Sequence, residues 1–284
     1  MIVDNTKIFG EVEAAFSGIV DRMSESALME MFTRDFSLRF CWSSNAIEGN
    51  TLSLDETVAL IEYDEVRAGK PYSHYQEAKF LHRAISESML PFHHEMITAS
   101  WIKKNNGIIM GTVGEYRTGA VYVGSLVEVV YTPPAAEQVP ELMEKYLQAV
   151  NFTAADIPEI MEKVAKSHFD FERIHPFQDG NGRVGRMILN QQLINHGLLP
   201  VAIGPKSDYR RSFVQYDKNG DMSKLIHEIC KEELASIQRL QALVRQAEQP
   251  FQLNPPLDQQ IAEAQTKTAQ PQAHQTPKKR RERS

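Results

Sequence analysis

Apolar side chains recur with helical spacing along most of the chain, and a clear example runs from Asp156 to Ile174. Asp156 and Glu159 stand where an N-cap and the third helical position are expected. The apolar positions after them fall at i, i+3, i+4 and i+7, the spacing of a helix face that packs on a core; they are Ile157, Ile160, Met161, Val164, His168 and Phe171. We therefore interpret His168 as a hydrogen-bonded core histidine.

A second helix is predicted from Arg183 to His196, and its apolar residues lie on several sides, as expected for a central, buried helix. Other helices are expected on both sides of this pair. They cover much of residues 1–48, a segment from the Ser53 capping box to about Ala68, one from a Ser73 cap to about Met89, residues 95–104, residues 135–150, a segment capped by Ser207, and a last helix to about Gln249.

A different pattern occupies residues 107–131, where glycines interrupt β-branched and aromatic residues. This pattern predicts a short hairpin at about residues 118–132, with strands at 120–123 and 126–131. From Pro250 to Ser284 the chain is rich in Gln, Pro, Ala, Thr and Lys and poor in aromatic residues, which predicts a disordered tail.

Composition narrows the class of protein. The 284 residues are 42% hydrophobic and 24% charged, as in ordinary globular proteins. The net charge of −6 argues against general nucleic-acid binding, so contact through the basic cluster at 278–281 is kept as a minor alternative. Two cysteines are too few for a disulfide framework. With no signal-peptide pattern and no long apolar run, we expect a cytoplasmic protein without a membrane segment; a secreted effector stays an open alternative.

Candidate chemistry is concentrated in residues 175–186, which read His-Pro-Phe-Gln-Asp-Gly-Asn-Gly-Arg-Val-Gly-Arg between two predicted helices. Small residues at a helix start let backbone N–H groups converge on an anion, and two arginines add fork-shaped donors. Asp179 could hold Mg²⁺ shared with phosphates, and His175 suits a proton acceptor near neutral pH. The pattern Gly-x-Gly-x-x-Gly from Gly180 does not indicate a dinucleotide site, because a helix and not a strand precedes it.

These residues resemble the Fic (Fido) family, filamentation induced by cAMP. Its signature, His-Pro-Phe-x-(Asp/Glu)-Gly-Asn-Gly-Arg-x-x-Arg, is met at every fixed position from His175 to Arg186. Over roughly residues 36–233, the resemblance implies a mostly α fold, a Fic-type helical bundle with a short β-hairpin flap beside the active-site loop. The expected organisation is an N-terminal helical region (1–90), a catalytic core (91–235), a C-terminal helix (236–249) and the tail (250–284).

The resemblance implies transfer of AMP from ATP, with Mg²⁺, to a Tyr, Thr or Ser hydroxyl of a target protein. His175 would be the base and Asp179 the Mg²⁺ ligand. The flap would hold the target by strand addition, and self-modification and a homodimer are also expected. The implied phosphate-binding set is the backbone of Gly180, Asn181 and Gly182, the Asn181 side chain, Arg183, and Arg186 at the γ-phosphate, with residues 209–216 lining an adenine pocket.

A second family motif, (Ser/Thr)-x-x-x-Glu-(Gly/Asn), is matched by Ser44, Glu48 and Gly49 on the N-terminal side of the core. Glu48 lies just inside the end of a predicted helix, where the helix dipole disfavours an acid, so a tertiary partner is expected. The resemblance implies that this partner is Arg186, in the place of the ATP γ-phosphate. Glu48 would then inhibit the enzyme.

Three alternatives stay open. The same site could hydrolyse AMP from proteins, with Glu48 aligning a water. It could transfer another nucleotide or a phosphate-linked group such as phosphocholine, because the cradle does not recognise the group beyond the phosphates. The chain could also be a binding module that acts through its flap and tail, although such a module has no need of a complete signature.

Overall fold

A computed structural model describes residues 2–124, 129–205 and 208–248, and the prediction of a mostly α fold is confirmed. Residues 1–246 form one compact unit; of residues 247–284, only the last two residues of the final helix are described. The helices are α1 (Thr6–Ser17), α2 (Ser26–Ile47), α3 (Leu54–Tyr63), α4 (Tyr72–Ser88), α5 (Ala99–Met110), α6 (Val139–Ala149), α7 (Ile157–Ile174), α8 (Asn181–Asn195), α9 (Tyr209–Asn219) and α10 (Ser223–Glu248), with 3₁₀ turns at Val20–Ser24 and Ala136–Gln138.

Helix α8 lies at the centre of the compact unit and packs on α2, α5 and α7. Its side chains enter two hydrophobic clusters: Val184 and Met187 join one, built mainly on α2, α4 and α5, and Leu189 and Leu193 join the other, built on α1, α7 and α10. A fully buried side chain of this size contributes about 1.5–3 kcal/mol. The packing of α8 on both sides confirms that it is a central, largely buried helix.

Several predicted helix ends are wrong, each for a local reason. Helix α3 begins at the Ser53 capping box as predicted, but it ends at Tyr63 and not near Ala68, because Asp64 adopts a left-handed conformation. Helix α4 begins at Tyr72 directly after Pro71, so Ser73 lies inside it and is not a cap. The predicted helix at 95–104 begins only at Ala99, because the Thr98 side chain accepts from the Trp101 N–H at 3.1 Å.

The predicted hairpin is present but shorter than expected. Strand β1 (Val123–Gly124) pairs antiparallel with β2 (Val129–Tyr131). The remaining part of the second predicted strand, 126–128, lies outside the described residues, as do Ser207, Gln249 and the tail at 250–284. Within the described ranges, no helix is both long and apolar enough to cross a membrane.

The segment between α5 and the hairpin folds back onto α5 at two glycines. A Cβ on Gly114 would lie 1.7 Å from the Lys103 carbonyl oxygen and 2.8 Å from the Gly107 nitrogen. Only a residue without a side chain allows this approach. The contact holds the following residues, Tyr116 and Arg117, against the loop that joins α7 to α8.

We expect Gly114→Ala to lower the free energy of unfolding by about 1–3 kcal/mol or more, because the methyl group must displace the α5 backbone. Urea denaturation of the two proteins measures the difference. Gly119→Ala is the matched control, since nothing lies within 4 Å of a Cβ at that position. Equal stability of Gly114→Ala and the wild type would contradict the close approach.

Candidate active site

His175 occupies the turn where α7 ends. Its backbone is left-handed, with φ 51° and ψ 60°, and its N–H donates to the Phe171 carbonyl at 3.0 Å. A residue with a side chain pays about 1–2 kcal/mol for this conformation. Such strain persists only where the surroundings hold it, and it is often found at functional sites.

The hydrogen bond of the His175 ring determines its tautomer. Nδ1 lies 3.3 Å from the Glu172 carbonyl oxygen, which can only accept, so Nδ1 carries the proton and Nε2 keeps its lone pair. Burial has the largest effect and lowers the pKa of His175; the bond to the Glu172 carbonyl opposes it, Arg117 and Arg173 lower the pKa further, and Glu48 raises it slightly, so the pKa stays below its ordinary value. The imidazole is therefore neutral near pH 7 and can accept a proton at Nε2.

Asn181 and Phe177 fix the loop between α7 and α8. The Asn181 side chain accepts from the Phe177 N–H and donates to the Phe177 carbonyl, both at 2.9 Å. One amide N–H of Asn181 is thus used within the loop, and the contact of its other N–H with a phosphate stays a prediction. The Phe177 ring is buried beside Tyr116, with ring centroids 5.7 Å apart, so Phe177 is an apolar anchor of this loop.

The N-terminus of α8 has the features of an anion site. Gly180 has a φ of 81°, which lets the helix begin at Asn181, and the first N–H groups of a helix have no partner within it. Arg183 follows in the first turn with only 5% of its surface exposed, and its buried Nε–H has no partner among the described residues. Unused donors and a buried guanidinium at a helix N-terminus fit a phosphate group.

Asp179 precedes this helix start with 68% of its side chain exposed. Its Oδ1 lies 3.5 Å from an Arg183 nitrogen and accepts the Gly180 N–H, and the Asn106 side chain donates to its backbone carbonyl at 2.8 Å. The described residues contain no group of three or more metal-ligating side chains. A single exposed carboxylate beside a phosphate cradle nevertheless fits Mg²⁺, which keeps several waters and is shared with substrate phosphates.

Arg186 is 1% exposed, and each of its guanidinium nitrogens has an acceptor. Nε donates to Ser44 Oγ at 2.8 Å, one terminal nitrogen donates to the Ser44 carbonyl at 2.9 Å and to Glu48 Oε1 at 2.6 Å, and the other lies 3.4 Å from Tyr209 Oη. The pairing of Glu48 with Arg186 that the sequence led us to expect is thus present in the structure.

Glu48 is the C-cap residue of α2, and Gly49 follows it with a φ of 98°. Burial alone would raise the pKa of Glu48, but Arg186, with Arg183 and Arg210, outweighs it and holds this pKa below its usual value. The carboxylate lies against α8 where Gly182 has no side chain: a Cβ there would be 2.4 Å from Glu48 Oε1. An ionised carboxylate therefore stands at the N-terminus of α8, beside the proposed anion site.

A neutral histidine, His168, is linked to Arg186 through the Tyr209 hydroxyl. His168 is 1% exposed, donates from Nδ1 to the Gly185 carbonyl at 3.2 Å and accepts the Tyr209 hydroxyl at Nε2 at 2.8 Å. Burial and the charge of Arg186 lower the pKa of His168 to about 3. The Tyr209 proton therefore points to His168, and its oxygen is available to Arg186. This geometry confirms His168 as a satisfied core histidine.

Three residues of the site carried no clear sequence signal. Tyr209 was expected only within an adenine-pocket segment, and that role stays a prediction. Arg210 donates to the Ile47 carbonyl at the end of α2, a bond that a helix C-terminus favours but that joins distant parts of the chain. Glu172 is a polar residue on a helix that is otherwise buried at this end, and it is 8% exposed.

The Glu172 carboxyl lies against α8, 2.3 Å from where a Cβ on Gly185 would be, and its Oε1 has no partner among the described residues. Burial raises the pKa of Glu172 to about 7, with a smaller raising effect of Glu48 and lowering effects of Arg186 and Arg173. Glu172 is therefore largely protonated in slightly acidic solution, whereas an unfolded glutamate ionises near its ordinary value.

We expect stability to fall as the pH rises from the unfolded pKa of Glu172 to the folded one, because only the unfolded state ionises in this window. Shifting the pKa from 4.5 to about 7 corresponds to about 3 kcal/mol. Glu172→Gln cannot ionise, so its stability relative to the wild type should rise by about this amount between about pH 5 and about pH 8. Urea denaturation at both pH values measures it; a difference as constant as that of the exposed Glu11→Gln would contradict the assignment.

Comparison with known proteins agrees with this geometry. Residues 76–193 match the family model described as Fic/DOC. Protein adenylyltransferase fic-1 of Caenorhabditis briggsae is 29% identical over 227 residues, 76% of this chain and 44% of that protein. Protein adenylyltransferase Fic of Nematostella vectensis is 31% identical over 216 residues, 72% of this chain and 48% of that protein. The chain thus spans less than half the length of these relatives.

Comparison of the fold with solved structures also finds a Fic protein. A solved fragment of Fic-1 from C. elegans superimposes with a TM-score of 0.72 at 25% identity, covering 86% of this chain and 74% of that one. The segment that matches the family model, residues 76–193, includes the whole signature loop and the first part of α8, where the described geometry places the anion site. The chain belongs to the Fic/DOC family.

Proposed function

We propose that this chain is a protein AMP-transferase that moves AMP from ATP to a hydroxyl group of a protein. The observation that carries the proposal is the juxtaposition, across one loop, of a neutral histidine with a free Nε2 and a helix N-terminus with unused donors. The names of the two adenylyltransferase relatives support the choice of AMP as the transferred group.

In the proposed reaction the target hydroxyl oxygen attacks the α-phosphorus of ATP. The hydroxyl proton passes to His175 Nε2, the bond to the β-phosphate oxygen breaks, and pyrophosphate leaves. The N–H groups of Asn181 and Gly182 and the guanidinium of Arg183 would bind the phosphates. The Gly180 N–H, which the sequence predicted to join them, donates to Asp179 Oδ1 in this structure. Most of the rate enhancement would come from positioning and from fixed charge, as in other phosphoryl-group transfers.

Asp179 is the residue that we propose to hold Mg²⁺ on the phosphates. A bound Mg²⁺ would neutralise phosphate charge and orient the leaving group. Asp179 suits this role because its side chain is exposed, its backbone carbonyl is fixed by the Asn106 side chain, and its Oδ1 is oriented by the Gly180 N–H.

We further propose that Glu48 inhibits the reaction. Its carboxylate takes the place of an anionic ligand on Arg186, which has no other carboxylate partner among the described residues. While the pair is closed, Arg186 cannot bind the γ-phosphate, and the negative charge of Glu48 repels it. ATP could then bind only in a pose that does not present the α-phosphorus for attack.

A second candidate function is hydrolysis of AMP from a modified protein. The observation that favours it is the ionised, 38% exposed carboxylate of Glu48 at the same helix start, where it could orient a water. The two proposed functions differ in the role of Glu48. Its removal would increase the transferase activity and abolish the hydrolase activity.

We expect Glu48→Gly to raise the rate of protein labelling by about tenfold or more over the wild type, a change of about 1.4 kcal/mol in the barrier. The measurement counts label from α-labelled ATP and Mg²⁺ on the chain itself and on lysate proteins. Adding His175→Ala should return labelling to background. Glu87→Gly is the matched control: Glu87 is also near a helix end and paired with an arginine, Arg83, but lies outside the site.

Absence of label with every variant would overturn the transferase proposal. The second candidate is tested with a protein that has been labelled with AMP by a separate, active AMP-transferase. Release of AMP by the wild type but not by Glu48→Gly would support the hydrolase, and no release by either would exclude it for that substrate.

The target, the modified residue and the partners follow only as proposals. We propose that the hairpin formed by β1 and β2 holds the target polypeptide by strand addition, since it follows Arg117, which contacts the His175 loop. Self-modification is tested by the same labelling experiment. A homodimer and a cytoplasmic location stay predictions from the sequence.

A further inference from the structure

Arg117 lies between the hairpin and the loop of His175, and it is 5% exposed. Within the described part of the chain its guanidinium makes three hydrogen bonds, all to backbone carbonyls: Nε to His175 at 2.9 Å, one terminal nitrogen to Gly119 at 3.1 Å and the other to Pro134 at 2.5 Å. Its own N–H donates to the Pro176 carbonyl at 2.9 Å. One residue therefore contacts three separate stretches of backbone.

The bond to His175 bears on the strained turn. His175 has its N–H fixed by the end of α7, whereas its carbonyl group is held by Arg117 Nε. A rotation of the peptide after His175 out of the left-handed conformation would remove that carbonyl from the guanidinium. The next carbonyl, that of Pro176, is held by the Arg117 backbone, so two successive peptide groups are fixed by the same residue.

The other two bonds bear on the hairpin. Gly119 precedes β1 and Pro134 follows β2, so the guanidinium joins the first and last parts of the hairpin to each other and to His175. Tyr131, the last residue of β2, adds a second connection, because its hydroxyl donates to the Arg173 carbonyl at 2.9 Å. The distance between the hairpin and the histidine therefore depends on Arg117.

We propose that Arg117 is a positioning residue that holds the His175 backbone in its left-handed turn and sets the hairpin at a fixed distance from the imidazole. The role in catalysis rests on the proposed function, because it takes His175 as the base. The role in geometry does not, since it concerns only the backbone of the turn and the hairpin.

The choice of arginine is informative. Three carbonyl oxygens in three directions match the planar fan of guanidinium N–H groups, whereas a lysine offers one nitrogen. Among the described residues the buried guanidinium has no carboxylate as a hydrogen-bond partner, which makes it a costly way to join loops. Its positive charge also helps to keep His175 neutral: burial lowers the pKa of His175 most, Arg117 and Arg173 add to this, and the Glu172 carbonyl and Glu48 oppose it.

The first test measures kinetics in the Glu48→Gly background, comparing Arg117→Lys and Arg117→Met. Both should lower kcat by about 10- to 100-fold, because a displacement of about 1 Å of a reacting group has this effect. The KM for ATP should stay within about twofold, since Arg117 does not contact the helix start that binds the phosphates. Arg239→Met, which removes an arginine bound to Asp35, is the matched control and should leave both constants unchanged.

The pH profile separates charge from geometry. A base acts in its neutral form, so the rate rises as the pH rises through the pKa of His175. Removing the charge of Arg117 raises that pKa, so the acid limb of the kcat profile should move to higher pH in Arg117→Met and stay in place in Arg117→Lys. Loss of kcat with no shift in either variant would support a role through geometry alone, whereas an unchanged kcat in both variants would overturn the proposal.

The second test needs no catalysis and uses the otherwise unmodified chain. NMR titration of the His175 ring, assigned with His175→Ala, should give a higher pKa in Arg117→Met than in the wild type, and the His175 Cα shift should change in both Arg117 variants. Unchanged titration and shifts would overturn the proposal. If Arg117→Met does not fold, the proposal is judged from Arg117→Lys alone, by the change in the His175 Cα shift and in kcat that this variant causes. A Glu48→Gly protein that labels nothing contradicts the proposed function, while the NMR result still judges Arg117.

Discussion

The burial of one guanidinium constrains much of the structure around the site. Arg186 is 1% exposed, and a buried charge is tolerated only when its donors are satisfied. Its acceptors come from distant parts of the chain: Ser44 and Glu48 at the end of α2, and Tyr209 at the start of α9. The tautomer of His168 follows from the same requirement, since it must take the Tyr209 proton to leave the phenol oxygen available. Packing at the centre of the molecule is thus specified by hydrogen bonds as well as by apolar contacts.

The close packing of side chains around Arg186 also accounts for two glycines of α8. The Glu48 carboxylate touches the helix at Gly182, and the Glu172 carboxyl touches it at Gly185, so a Cβ at either position would overlap an oxygen atom. Neither glycine is needed for a positive φ, because both lie within the helix. Glycines that lower helix propensity by about 1 kcal/mol each are therefore kept for close approach, and only Gly180 is required by the turn itself.

The sequence predicts the mostly α fold, the central position of α8 and the grouping of residues 175–186, because helical periodicity and a dense local motif are both short-range signals. It also indicates that Glu48 needs a partner, because an acid at a helix end is locally unfavourable. Helix ends were less predictable where one backbone conformation decided them, as at Asp64. Arg117, Glu172 and Tyr209 could not be placed from sequence, because their roles depend on contacts between segments that only the packed fold brings together.

The two partners of the proposed inhibitory ion pair, Glu48 and Arg186, differ in their exposure. Arg186 is enclosed and keeps Ser44 and Tyr209 as acceptors when Glu48 leaves, whereas the Glu48 side chain is 38% exposed and can return to water. Releasing the pair costs the ion pair with a buried guanidinium, but hydration of the Glu48 carboxylate offsets part of that cost, and the guanidinium does not have to move. The bonds from Arg186 to Ser44 and from Arg210 to the Ile47 carbonyl still restrain this helix end when Glu48 leaves. We infer that the pair opens by movement of Glu48, at the end of α2, because the arginine side of the pair is held by the core.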